Sequence, residues 1–138
     1  MQINWDDSLL TGNATIDLQH RELFRRINLL LQSCKRGEGA ESVAEAMRFL
    51  EVHVLEHFGD EERLQAETHY AQFKAHKAEH EQFLVEFGRL KASLRAKGSD
   101  FSLAIELLAT LVDWVGNHIT ETDKALCQHL KKIKPAET

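Results

Sequence analysis

The stretch Phe73-Lys74-Ala75-His76-Lys77-Ala78-Glu79-His80-Glu81-Gln82-Phe83-Leu84-Val85-Glu86-Phe87-Gly88-Arg89-Leu90 decides the architecture of this chain. Phe73, His76, His80, Phe83, Phe87, Leu90 and then Leu94 recur at three- and four-residue spacing, the period of one buried face of an α-helix. His76 and His80 stand on that same face. Positions four apart differ by about 40° around a helix axis, so the two imidazoles project inward as a stacked pair.

The same pattern recurs on either side. A first stripe holds Ile16, His20, Leu23, Phe24, Ile27, Leu31 and Cys34; a second holds Val43, Met47, Leu50, Val54, His57, Glu61 and Leu64. A fourth holds Phe101, Ala104, Ile105, Leu108, Val112, Val115, His118, Ile119 and Leu126. Helices are therefore expected over about residues 17–33, 40–67, 70–96 and 100–133. The breaks between them are short: Lys35-Arg36-Gly37-Glu38-Gly39, Glu67-Thr68-His69-Tyr70 and Lys97-Gly98-Ser99-Asp100. Glycine closes a helix in the left-handed conformation, and Ser or Asp caps the next. Short links between long helices make neighbours antiparallel, so the fold class is all-α, an up-down-up-down four-helix bundle. Residues 1–15, with Trp5 and no helical stripe, are expected to form an extended N-terminal arm packed on the bundle, and residues 1–138 a single domain.

Antiparallel order brings the start of the first helix, the end of the second, the start of the third and the latter half of the fourth to one end of the bundle. The polar residues of the inward stripes lie there: His20, His57, Glu61, His76, His80, His118 and Asp123. His118 and Asp123, five apart, would differ by about 140° on a regular helix. They either flank a two-metal centre from two sides or meet over a local π-type widening. About one residue in five of this chain is His, Asp or Glu, so a lone His-x-x-x-Glu carries little weight. Seven on four inward stripes at one end carry much more, because burying five imidazoles and two carboxylates without partners is costly. One first-row ion accepts about six ligands, so the set suits two metals. If Glu61 and Asp123 both bridge, and a solvent oxygen with them, one ion with three His reaches six ligands. The other, with two His, reaches five and keeps a position open for a small ligand.

Composition narrows the remaining classes. The 138 residues include 8 His, 17 Lys and Arg and 22 Asp and Glu, with a formal net charge of -5. A pI near 5.9 and no long basic cluster exclude a nucleic-acid surface. No run approaches the ~18 apolar residues of a membrane span, and the first residues lack the features of a secretion signal. Cys34 and Cys127 show no C-x-x-C spacing and suit free thiols in a reducing compartment, so the expected location is cytoplasmic.

Two stretches match the zinc-hydrolase pattern H-x-x-E-H: His53-Val54-Leu55-Glu56-His57 and His76-Lys77-Ala78-Glu79-His80. Against a hydrolase, Glu56 and Glu79 fall off the apolar stripes, and the His residues converge with ligands from other helices. None of the His residues has Glu three positions before it, which disfavours the carboxylate-rich ferritin-like arrangement. His53, one turn before His57, is either a core-boundary residue or a neighbour that contacts a ligand or relays protons. His69 and His129 are expected to face solvent.

With these residues in view the chain resembles the hemerythrin family, in its single-domain bacterial form. The resemblance rests on Trp5-Asp6-Asp7, Ile16-Asp17-Leu18-Gln19-His20, His57-Phe58-x-x-Glu61-Glu62, His76-Lys77-Ala78-Glu79-His80 and Trp114-x-x-x-His118-Ile119-x-x-x-Asp123. It implies two non-haem iron ions joined by an oxo or hydroxo bridge. His76, His80 and His118 would hold the six-coordinate iron, His20 and His57 the five-coordinate one, with Glu61 and Asp123 bridging. It further implies reversible dioxygen binding at the iron held by His20 and His57, in a pocket walled by Leu23, Phe58, Trp114, Val115 and Ile119. The protein would then be no enzyme but an oxygen carrier, store or delivery protein, and a monomer is compatible with that role. The alternative is a sensor of oxygen, nitric oxide or iron status that acts through a separate partner. Two positions depart from the family pattern. His69-Tyr70-Ala71 stands where Gly-Tyr-Pro is frequent, and Val115 is smaller than the Leu common in the animal proteins.

Overall fold

The computed structural model describes residues 4–133. A short 3-10 turn, Asp7–Leu9, precedes helices α1 (Ala14–Lys35), α2 (Gly39–Glu67), α3 (Phe73–Lys97) and α4 (Phe101–Trp114). A π-helical segment, Val115–Asp123, then leads without a break into α5 (Lys124–Ile133). Val115 and Lys124 both keep right-handed helical angles, so α4, the π-segment and α5 form one continuous rod. That rod is the expected fourth bundle helix, and among the described residues there is no strand.

Side-chain pairs define the antiparallel order. Gln19 meets Asp60 while Arg26 meets Phe49 and Ser33 meets Ser42, so α1 and α2 run opposite ways. His80 meets Glu62 while Lys91 meets Glu51, which does the same for α2 and α3. Glu79 meets His118 while Phe83 meets Trp114, which sets α3 against the fourth rod.

Local chemistry sets the helix ends. Asn13 caps α1 by accepting from the Ile16 amide at 3.1 Å, and Asp100 caps α4 by accepting from the Leu103 amide at 2.7 Å. α1 and α2 close in the same way, with Glu38 N donating to Ser33 O at 2.8 Å and Tyr70 N to Gln65 O at 3.0 Å. The residue between is left-handed in both, Gly37 at φ 75° and His69 at φ 55°. Because Tyr70 closes α2, α3 starts at Phe73 rather than at the expected Tyr70. The arm is shorter and less extended than expected, since α1 begins at Ala14. Asp17 anchors it, accepting from Thr11 N at 2.8 Å, Thr11 Oγ1 at 2.9 Å and Gly12 N at 3.2 Å. Trp5 lies edge-on to Phe24 with ring centroids 5.5 Å apart. Residues 1–3 of the expected arm and 134–138 lie outside the described residues.

Below the polar cluster the core is apolar, with Ile27, Leu50, Leu107 and Leu111 fully buried. Each such side chain contributes about 1.5–3 kcal/mol. The expected stripe of the fourth helix needs correction. Leu103, Ala104, Leu107 and Leu111 are buried, whereas Phe101 is 47% and Ile105 42% exposed and Leu108 and Val112 are half-buried. This segment is apolar almost all round, so spacing alone does not choose its inward face. Likewise Leu30, not Leu31, is the buried residue of α1. Both cysteines are free and buried.

Candidate metal centre

His20 comes from α1, His57 and Glu61 from α2, His76 and His80 from α3, and His118 and Asp123 from the π-segment. All seven residues are buried, none more than 3% exposed. The π-segment supplies the geometry that a regular helix would deny, because its wider turn brings residues five apart to one side. His118 Nε2 and Asp123 Oδ1 are 3.0 Å apart.

The seven divide into two groups whose candidate ligand atoms lie within 4.8 Å of one another: Glu61, His76, His80, His118 and Asp123, and His20, His57, Glu61 and Asp123. Glu61 and Asp123 belong to both, and each turns one oxygen to each side. Glu61 Oε1 is 2.8 Å from His76 Nε2 and 3.1 Å from His80 Nε2, and Asp123 Oδ1 is 2.9 Å from His76 Nε2. On the other side Glu61 Oε2 is 3.5 Å from both His20 Nε2 and His57 Nε2, and Asp123 Oδ2 is 3.2 Å from His20 Nε2.

Three imidazoles are oriented from behind. His57 Nδ1 is 2.7 Å from Gln19 Oε1, and the Gln19 amide is turned that way because its Nε2 donates to Asp60 Oδ2 at 2.8 Å. His80 Nδ1 is 2.9 Å from Glu62 Oε2, and His118 Nδ1 is 2.8 Å from Glu79 Oε1. Amide and carboxylate oxygens only accept, so each Nδ1 carries the proton and each Nε2 turns its lone pair to the centre. Thr122 Oγ1 also donates to Glu79, at 2.8 and 3.1 Å. Gln19, Glu62 and Glu79 were missed by the sequence reading, Glu79 because it lies off the apolar stripe. Their one signal in the sequence is adjacency, since each directly precedes or follows a cluster residue.

Without a cation the cluster holds protons instead. Burial disfavours the charged imidazole, but the Asp123 and Glu61 carboxylates outweigh it, pushing His20 up to about 10 and His76 to about 9. Burial leaves His57 neutral, its value pushed down to about 3. Glu61 and Asp123 are held well below the usual carboxylate range: burial opposes this, but the surrounding imidazoles prevail.

Protons do not complete the site. Nε2 of His20, His80 and His118, Oε2 of Glu61 and both carboxylate oxygens of Asp123 are buried without a hydrogen-bond partner. Each such group costs about 1–3 kcal/mol, so six on facing atoms need a common partner. Metal cations held by these atoms would supply it, and nitrogen and carboxylate oxygen donors suit iron, zinc or manganese.

Around the cluster, Phe58 lies flat on His80 with ring centroids 3.9 Å apart, and Trp114 on His118 at 3.8 Å. Leu23, Val115 and Ile119 are buried. Phe58 also lies beside His57 of the two-imidazole group, with ring centroids 6.0 Å apart, so it borders both groups, whereas Trp114 lies against His118 and His80 of the three-imidazole group. His53 is half-buried and stacks between Phe49 and His57, at 5.3 and 5.9 Å. Burial pushes it down to about 4. His69 is exposed as expected, but His129 is not free in solvent. Its Nε2 is 3.2 Å from Thr68 Oγ1 and its ring 4.7 Å from Tyr70, because the last turns of α5 pack on the α2–α3 connection. In the two H-x-x-E-H stretches, Glu56 is exposed and Glu79 is engaged by His118 and Thr122.

The fold and cluster together define a helical-bundle protein with a buried imidazole–carboxylate cluster that could hold metal. Residues 11–130 match the hemerythrin HHE cation binding domain, and the chain belongs to the hemerythrin family. It is 34% identical to a bacteriohemerythrin of Pseudomonas paraeruginosa over 119 residues, covering 86% of this chain and 75% of that protein. It is 30% identical to hemerythrin subunit alpha of Lingula anatina, covering 86% and 87% of the two chains. Myohemerythrin of Sipunculus nudus is 28% identical, with 86% of each chain covered. Among the described residues no helix is long and apolar enough to cross a membrane.

Proposed function

We propose that this protein binds dioxygen reversibly at two non-haem iron ions and serves in oxygen carriage, storage or delivery rather than as an enzyme. The observation that carries the reading is the division of the Glu61 and Asp123 oxygens, one of each toward three imidazoles and one toward two. In this reading His76, His80 and His118 hold one iron, His20 and His57 the other, and the two carboxylates bridge. A bridged pair of ferrous ions supplies two one-electron donors, which lets dioxygen be taken up and returned intact. The residues provide the rest. Gln19, Glu62 and Glu79 fix ring orientation, while the buried Leu23, Val115 and Ile119, with Phe58 and Trp114, exclude water and the protons it would deliver. Two buried free thiols accord with a reducing compartment such as the cytoplasm.

Metal analysis with a visible spectrum in air tests this. The expected result is about two irons per chain and charge-transfer bands that vanish under vacuum and return in air. About one zinc per chain with peptidase activity would overturn it. Service as a sensor of oxygen, nitric oxide or redox state through a separate partner would use the same site. A protein that captured a specific partner in only one redox state would establish that role instead.

A further inference from the structure

The groups behind the imidazoles differ in charge between the two halves of the cluster. In the three-imidazole half, His80 and His118 each donate from Nδ1 to a carboxylate, Glu62 and Glu79. In the two-imidazole half, His57 donates to the neutral amide of Gln19. The remaining imidazole of each half, His20 in the one and His76 in the other, has no partner on Nδ1 among the described residues. A carboxylate behind an imidazole draws its Nδ1 proton outward and makes Nε2 a stronger donor toward a metal, whereas an amide orients the ring with far less electronic effect. Gln19 is held in its neutral role: Asp60 takes its amide N–H, and Arg63 Nη2 in turn donates to Asp60 at 3.2 Å.

We infer that Glu62 and Glu79 are positioning residues that make the three-imidazole half the tighter of the two, and that Gln19 keeps the two-imidazole half the weaker and more readily emptied. The inference rests on the two-iron reading above. It goes beyond the extra imidazole of the first half, because it assigns part of the difference to charge outside the ligand set. Glu62 and Glu79 are 23% and 44% exposed, so exchanging them leaves the buried core in place.

The test is stepwise removal of Fe(II) from the loaded protein under argon by a ferrous-specific chromogenic chelator such as ferrozine, with far-UV circular dichroism as a check on the fold. The wild type should release its iron in a fast and a slow phase of equal size. Glu79→Gln and Glu62→Gln keep an oxygen acceptor but remove the charge, and should speed the slow phase at least tenfold while leaving the fast phase unchanged. Gln19→Glu should slow the fast phase to a similar degree. A single release phase in the wild type would overturn the inference. So would Glu→Gln variants that match the wild type while Glu79→Ala accelerates release, since position alone would then matter. A well-folded wild type that retains no ferrous iron would overturn the underlying reading of the site as well.

Discussion

His118 and Asp123 are five residues apart in the chain, yet His118 Nε2 and Asp123 Oδ1 are 3.0 Å apart in space. The π-segment makes this so, and a change of register tests it. Deleting Thr120, an exposed residue whose hydroxyl bonds only its own helix at Gly116 O, leaves the pair four apart, about 40° on a regular α-helix. That variant should keep its metal. Inserting one alanine after Thr120 turns Asp123 away by about 100° and removes a carboxylate that serves both halves, so metal per chain should fall by about half or more. Elemental analysis of the two purified proteins checks both outcomes.

Glu61 is the most buried acid of the cluster, with one oxygen toward His76 and His80 and the other toward His20 and His57. Glu61→Ala should therefore empty both halves rather than one. Glu56→Ala, which removes the exposed glutamate of the first H-x-x-E-H stretch, should leave metal content as in the wild type. The opposite result, metal kept without Glu61 and lost without Glu56, would sink the bridging assignment.

The helices and the seven-residue cluster were legible in the sequence because both depend on periodicity. Apolar spacing of three and four marks an inward face, and a titratable residue on such a face stands out against Leu, Val and Phe. What escaped lacks that contrast. In α4 nearly every position is apolar, so Leu103 and Leu107 could not be told from Phe101 and Ile105. Gln19, Glu62 and Glu79 lie off the stripes and reach across to neighbouring helices, so only inter-helix register reveals them. The spacing of His118 and Asp123 suited either of two geometries until the π-segment decided between them.

Proton binding by the metal-free cluster sets a pH optimum for stability. His20 and His76 are raised to about 10 and 9 from 6.5, so their contribution is complete below about pH 6.5 and is lost as pH rises through 9 and 10. His57 and His53 are depressed to about 3 and 4, so their contribution is present above about 6.5 and is lost as pH falls toward those values. Glu61 and Asp123, also depressed, act in the same direction at still lower pH. The urea midpoint of chelator-treated protein should thus peak near neutrality and fall on both sides. In loaded protein the bound cations replace the His20 and His76 protons, and the alkaline fall should disappear.

His69 and Gly37 occupy equivalent places, each the left-handed residue that closes a helix, at φ 55° and 75°. Glycine adopts this conformation without a Cβ clash, whereas histidine incurs about 1–2 kcal/mol. The His69 side chain is exposed, so little packing offsets the strain. His69→Gly should stabilise the protein by about 1 kcal/mol, partly countered by the greater freedom of glycine in the unfolded chain. Gly37→Ala should destabilise it by a similar amount, even though a Cβ there meets no atom within 4 Å, because the penalty lies in the backbone. Chemical denaturation of the two variants checks the pair. Equal and opposite shifts in the urea midpoint with an unchanged slope would show that both turns are governed by backbone conformation, and a His69→Gly variant no more stable than the wild type would refute it.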